Sequence, residues 1–222
     1  MDLAPLYEET RQRLCELVRS LPSAELDTEV PATPGWRVRD VIAHLTGGPG
    51  DVLSGNLEGA GGEAWTAAQV AARRGRALDE VLAEWDGYAG GVRGLFETGG
   101  PNMGFLLADV ASHEQDVRGA LRRPGARDCA GIEATTQLFV AGAGRRFTEA
   151  GIALRITAGR DEWEVGAGEP QASVVVEPFE LFRAFAGRRS PTQVCAWGWT
   201  GDPGPYLGLL PIFPLRPTDL VE

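Results

Sequence analysis

The sequence predicts an α+β protein, in which a helical region is followed by a smaller mixed region. Two observations support this prediction. Apolar residues recur at helical spacing through about the first 150 residues, and the period then changes from 3.6 residues to two. A chain of 222 residues with 43% hydrophobic content can also bury a substantial core. We therefore predict a helical domain over residues 1–150 and a smaller α+β domain over residues 151–222.

Helices are predicted wherever an apolar stripe recurs every three or four residues. The predicted helical segments are 5–21, 36–48, 63–97, 103–122 and 131–149. Pro49 should end or kink the second of them just past His44, because proline removes a backbone donor.

Strands are predicted after residue 150, where apolar and polar residues alternate or a short apolar run stands between turn signals. The predicted strands are 152–156, 161–165, 172–177 and 193–199. Between the last two, "FELFRAFAG" predicts a short helix that Gly187 ends.

The charge and composition exclude several classes of function. The net charge of −10 argues against a nucleic-acid partner, since such binding depends on clustered cations. There is no lysine, which excludes Schiff-base and phosphate-loop chemistry through that residue. Three dispersed cysteines fit reduced thiols, and no apolar run is long enough for a signal peptide or a membrane span. We expect a cytoplasmic protein without a membrane partner.

One predicted helix carries a cluster of ionisable residues. In "ADVASHEQDVRGAL", Asp109, His113 and Asp116 share one helix face, with neighbouring Cβ atoms roughly 5–6 Å apart. The second histidine of the chain, His44, lies on an otherwise apolar helix. Two histidines and a carboxylate form the open ligand set of catalytic zinc. The spacing alone does not distinguish such a metal site from an ordinary solvated helix face at Asp109, His113 and Asp116 together with a core histidine at His44.

Three motifs carry a resemblance to a known family. The segments "PGWRVRDVIAHL", "D-x-x-x-H-x-x-D-V-R" and "ELFRAFAGRRSPTQV…W" resemble the mycothiol-dependent maleylpyruvate isomerase family and occur in its order, from about residue 5 to 222. The resemblance implies an N-terminal DinB-like four-helix bundle with up-down-down-up topology and a small mixed C-terminal domain. It also implies a divalent metal, usually zinc, held by His44, Asp109 and His113. Asp109 stands where the family has glutamate, and this shorter side chain could pull the ion toward the helix, change the metal preference or weaken binding.

The resemblance further implies that mycothiol, the low-molecular-weight thiol of actinobacteria, is a cosubstrate. The chain would then be a metal-dependent isomerase or thiol S-transferase, with a metal-activated thiolate attacking a small electrophile. Two alternatives remain open: a non-catalytic protein that binds a metal or a small ligand, and a metal-dependent hydrolase that uses metal-bound water. We expect a monomer or a homodimer.

Further site residues are predicted around this centre. Asp116 is a candidate for proton transfer or for orienting a ligand histidine, and Glu114 is a second proton-transfer candidate. The family resemblance implies that an arginine of the small domain lies near the cleft between the domains. Arg188 is the preferred candidate for a catalytic role, and Arg183 and Arg189 are candidates for cofactor binding. The same arginines could instead be a solvated helix end.

Overall fold

The computed structural model describes residues 2–222, with the backbone alone at Pro101, and confirms the α+β class. The chain divides into two compact units. One contains the residues through Gly125 together with Glu222, and the other runs from Ala126 to Val221. Within the described residues, no helix is long and apolar enough to cross a membrane.

The first unit is helical. Its helices are α1 (Ala4–Arg19), α2 (Val38–Ser54), α3 (Glu63–Arg73), α4 (Leu78–Gly87), α5 (Ala89–Gly99) and α6 (Gly104–Ala120). Helix α2 packs against α3, α4 and α6, and α1 packs against α6. The buried stripes that the sequence predicts meet in one core, which includes Leu14, Val18, Ile42, Leu45, Leu82, Trp85 and Leu107.

Helix α2 begins with a side-chain cap. The Asp40 carboxylate accepts a hydrogen bond from the Arg37 backbone N–H at 2.9 Å, which satisfies one of the donors left over at a helix start. The expectation that Pro49 ends or kinks this helix just past His44 is wrong in its first form, because α2 continues to Ser54. A proline inside a helix costs about 3 kcal/mol, and here the packing of α2 against three other helices outweighs that cost.

The second unit is a four-stranded sheet with helices. Its elements are α7 (Ala130–Glu149), β1 (Ala153–Ala158), β2 (Asp161–Gly166), β3 (Ala172–Val176), α8 (Pro178–Phe185), α9 (Pro191–Cys195), β4 (Gly198–Thr200) and α10 (Gly204–Leu207). The strand order is β2-β1-β3-β4, with β1 and β3 parallel and the outer pairs antiparallel. Helix α7 packs against β2 and α8, and the buried residues Phe147, Leu154, Ile156, Phe182 and Phe185 form the core.

Two features of this unit differ from the expectation. Helix α7, which we assigned to the helical domain, packs against the sheet, so the division between the compact units lies after Gly125 and not near residue 150. Residues 193–195 of the last predicted strand belong to α9. Ser190 caps that helix by accepting a hydrogen bond from the Gln193 N–H at 3.0 Å, and the Gln193 side chain accepts from the Ser190 N–H at 3.0 Å.

Candidate metal centre

Three ionisable side chains of the first unit converge between α2 and α6. His44 comes from α2, while Asp109 and His113 lie one turn apart on α6. His44 Nε2 lies 3.4 Å from each Asp109 carboxylate oxygen, and His113 Nε2 lies 3.5 Å from Asp109 Oδ1. One ligand atom from each residue lies within 4.8 Å of the others. The structure therefore brings together the three predicted metal ligands.

These separations fit the requirements of a divalent ion. Zinc takes imidazole nitrogen and carboxylate oxygen at about 2.0–2.2 Å in a tetrahedral arrangement, which places neighbouring ligand atoms about 3.3–3.5 Å apart. The distances of 3.4 and 3.5 Å from the two imidazoles to Asp109 agree with this spacing. The aspartate is therefore long enough to reach both histidines, although the family resemblance predicts glutamate at this position.

The other nitrogen of each histidine has its own partner. His44 Nδ1 lies 2.7 Å from Gln69 Oε1, and an amide oxygen can only accept, so Nδ1 carries the proton. His113 Nδ1 lies 2.9 Å from Asp116 Oδ2, a close contact that lacks hydrogen-bond geometry. With a cation between the three side chains, a proton on each Nδ1 leaves both Nε2 lone pairs available to the ion, whereas without one the Asp109 carboxylate competes for a proton at His44 Nε2.

The site is deeply buried on its histidine side. His44 and His113 are 5% and 6% exposed, whereas the Asp109 side chain is 34% exposed. Trp36 packs on both imidazoles, with ring centroids 5.1 Å from His44 and 6.1 Å from His113. Gly35, at φ +84°, supplies the left-handed conformation of the turn just before this tryptophan. The "PGW" motif thus builds a wall of the site.

Two further ionisable residues of this unit, Tyr7 and Glu114, are buried. Burial raises the pKa of the Tyr7 hydroxyl above its usual range, and the negative charge of Asp109 adds to the shift, so this hydroxyl stays neutral. Glu114 is fully buried and pairs with Arg13 at 2.9 Å and Arg118 at 3.0 Å. A carboxylate held by two guanidinium groups ties α1 to α6, which favours a structural role over proton transfer.

The three candidate arginines belong to the second unit. Arg183 is fully buried, and Arg189 is 3% exposed and holds both oxygens of Glu180 at 2.6 and 2.7 Å. These two side chains are therefore not a solvated helix end. Arg188 is only partly buried and donates to the Ala186 carbonyl at 2.7 Å, so it retains access to solvent.

Sequence reasoning did not find Gln69. It lies in α3, 25 residues from His44, within an ordinary run of helix-forming residues, and no local motif marks it. Its role arises only because α3 packs against α2.

Comparisons with known proteins agree with the resemblance. Residues 7–103 match the family model described as the mycothiol maleylpyruvate isomerase N-terminal domain. This match includes His44 and Gln69 but ends before α6. A crystal structure of a histidine-to-alanine mutant of the mycothiol-dependent maleylpyruvate isomerase is similar in fold, with a TM-score of 0.56, 12% identity, and coverage of 83% of this chain and 87% of that chain. A crystal structure of the mycothiol-dependent maleylpyruvate isomerase has a TM-score of 0.51, 12% identity and coverage of 83% and 88%. No curated protein matches the chain.

Proposed function

We propose that this chain, whose residues 7–103 match the model of the mycothiol maleylpyruvate isomerase N-terminal domain, is a metal-dependent enzyme that uses mycothiol to isomerise or conjugate a small electrophile. One observation carries the proposal: His44, Asp109 and His113 converge, and a polar side chain lies within 2.9 Å of the second nitrogen of each histidine. Such support of the ligands is typical of metal sites.

His44, Asp109 and His113 would hold the ion, zinc in our proposal. A bound divalent cation favours the thiolate form of a thiol, which is the nucleophilic form. The partly exposed Asp109 lies on the side from which a thiol can enter, and Trp36 keeps water from the histidine rings.

Reversible addition of a thiolate to an electron-poor alkene requires few other groups of the protein. The sulfur electron pair forms a C–S bond, and the π pair of the alkene moves onto the adjacent carbonyl oxygen. Rotation about the new single bond and reversal of the addition give the isomer and return the thiolate. No net proton transfer is required, which suits a site whose two histidines serve as ligands. In a transferase, the adduct would take up one proton at carbon and be released.

Two side chains assist in this proposal. Asp116, which is fully buried behind His113, holds that imidazole in place, and its position favours this orienting role over direct proton transfer. Arg188 would bind the carboxylate of the substrate, since its side chain is the most accessible of the three candidate arginines.

The test is a turnover assay with purified protein, zinc, mycothiol and maleylpyruvate, followed by other unsaturated carbonyl compounds. We expect product formation that depends on both the thiol and the metal and is abolished by a chelator. Hydrolysis of esters or amides without thiol would replace this function with that of a hydrolase. Metal binding without turnover of any electrophile would favour a non-catalytic protein.

A further inference from the structure

A buried amide connects His44 to an acidic residue outside the metal centre. Gln69 is 3% exposed, its Oε1 lies 2.7 Å from His44 Nδ1, and its Nε2 donates to Asp51 Oδ2 at 2.6 Å. Asp51 is held in turn by the Asn56 side-chain amide, which donates to its other oxygen at 2.9 Å. The result is a continuous chain of hydrogen bonds from the protein surface to the ligand histidine.

The close packing of Gln69 on α2 depends on a glycine of that helix. A Cβ atom built on Gly47 would lie 2.6 Å from Gln69 Cβ and Cγ, which is closer than real contacts allow. Glycine at this position of α2 therefore lets the Gln69 side chain lie directly against the helix that carries His44.

The ionised Asp51 sets the direction of these hydrogen bonds. An ionised Asp51 can only accept hydrogen bonds, so the NH₂ group of Gln69 must face it. The amide oxygen then faces His44, and Nδ1 of that histidine must be the donor. The opposite amide orientation would place a carbonyl oxygen against a carboxylate, which leaves both without a proton to share.

We propose that Asp51 and Gln69 are positioning residues that fix the Nδ1–H tautomer of His44, so that its Nε2 lone pair is available to the metal. The inference deepens the proposed function, and it rests on that function only for its consequence in metal binding. At His113 the carboxylate of Asp116 lies directly beside Nδ1, whereas at His44 the carboxylate is one residue further away, behind a neutral amide.

The tautomer can be measured on metal-free protein that carries Asp109→Ala, because the Asp109 carboxylate lies 3.4 Å from His44 Nε2 and would otherwise compete for a proton there. Long-range ¹H–¹⁵N correlation spectra at mildly alkaline pH distinguish Nδ1–H from Nε2–H imidazole, and the chain has only two histidines to assign. We expect Nδ1–H at His44 in this background. Asp51→Asn allows the amide to turn either way and should give a mixture, as should Gln69→Leu, while the His113 signals stay unchanged as an internal control.

Exchanging the carboxylate and the amide between positions 51 and 69 tests the direction of these hydrogen bonds. In the double variant Gln69→Glu with Asp51→Asn, a carboxylate faces His44 and an amide donates to it from the other side, so the Nδ1–H tautomer should return. Zinc affinity, measured by competition with a chromophoric chelator, should fall about 10- to 100-fold in each single variant and recover in the double variant.

Three results would overturn the inference. The first is a pure Nδ1–H tautomer in both Asp51→Asn and Gln69→Leu. The second is an altered tautomer with unchanged zinc affinity, and the third is a double variant no better than Asp51→Asn alone. A wild-type protein that binds no metal, with the expected tautomers in the Asp109→Ala background, would instead refute the proposed function and leave the role of Asp51 and Gln69 standing.

Discussion

Removal of a single histidine ligand should separate a true metal centre from an incidental cluster. His44→Ala deletes an imidazole whose Nε2 lies 3.4 Å from the Asp109 carboxylate. Apparent binding free energies of about 10–16 kcal/mol for four-ligand zinc sites correspond to about 3–4 kcal/mol per ligand. Loss of one ligand should therefore weaken zinc binding by about 10²- to 10³-fold.

The three ligands should differ in their effects. His113→Ala should match His44→Ala, because both imidazoles are more than nine-tenths buried and water cannot easily take their place. Asp109→Ala should cost less, since that side chain is 34% exposed and a water oxygen can substitute for its carboxylate. Both histidine variants should lose metal during gel filtration, while the aspartate variant retains a fraction.

Cobalt(II) titration and chelator competition measure these affinities directly. The visible cobalt bands should lack thiolate charge transfer, because the three-residue cluster contains no cysteine. Asp79→Asn, which changes an exposed acid at the start of α4, is the matched control and should bind like the wild type. Wild-type affinity in His44→Ala would refute the assignment, as would an equal loss of affinity in Asp79→Asn.

Four further predictions test other parts of the structure. Glu114→Gln removes the charge between two guanidinium groups and should lower the free energy of unfolding by about 3 kcal/mol in urea denaturation; an unchanged midpoint would contradict this. Iodoacetamide should label the exposed Cys195 of the native protein and spare Cys15 until unfolding, because burial raises the pKa of the Cys15 thiol to about 11; early labelling of Cys15 in mass spectra would disagree. The hydrogen bonds from its arginine partner hold the pKa of Glu180 below the ordinary value of 4.5, so their stabilisation is present above that pH and is lost as the pH falls below it; the stability gap between the wild type and Glu180→Gln should narrow on acidification, and a gap that widens would reverse the sign. Arg188→Ala should lower kcat/KM for carboxylate-bearing substrates at unchanged metal content, and equal turnover in both proteins would remove Arg188 from the site.

The parts of the site that lie on one helix could be predicted from the sequence. Asp109, His113 and Asp116 share a face of α6 because the helical period fixes their relation, whatever the rest of the chain does. Their union with His44 could not be derived in this way, since α2 and α6 meet only through tertiary packing. The family resemblance supplied that link, and Gln69 had neither a local pattern nor a motif to reveal it.

Two local predictions from the sequence were wrong for different reasons. The rule that proline ends a helix describes an isolated segment, and at Pro49 the surrounding helices override it. At residues 193–195 the apolar run suggested a strand, although "SPTQ" contains both the proline and the glutamine of a capped helix start. In the first case the missing information was tertiary, and in the second it was present in the sequence but carried by polar residues.

The burial of the three candidate metal ligands indicates what kind of site they form. A structural zinc site is closed by four ligands, whereas a catalytic site keeps a position open. Among the residues that the structure describes, the cluster contains three ionisable ligands and no fourth. Its two histidines are fixed from behind and buried, while its carboxylate is one-third exposed. An open position would therefore lie on the Asp109 side, where an exchangeable ligand such as a thiol can reach it from solvent. This asymmetry favours a catalytic centre over a structural one, because a closed site would have no reason to leave one of its ligands in contact with water.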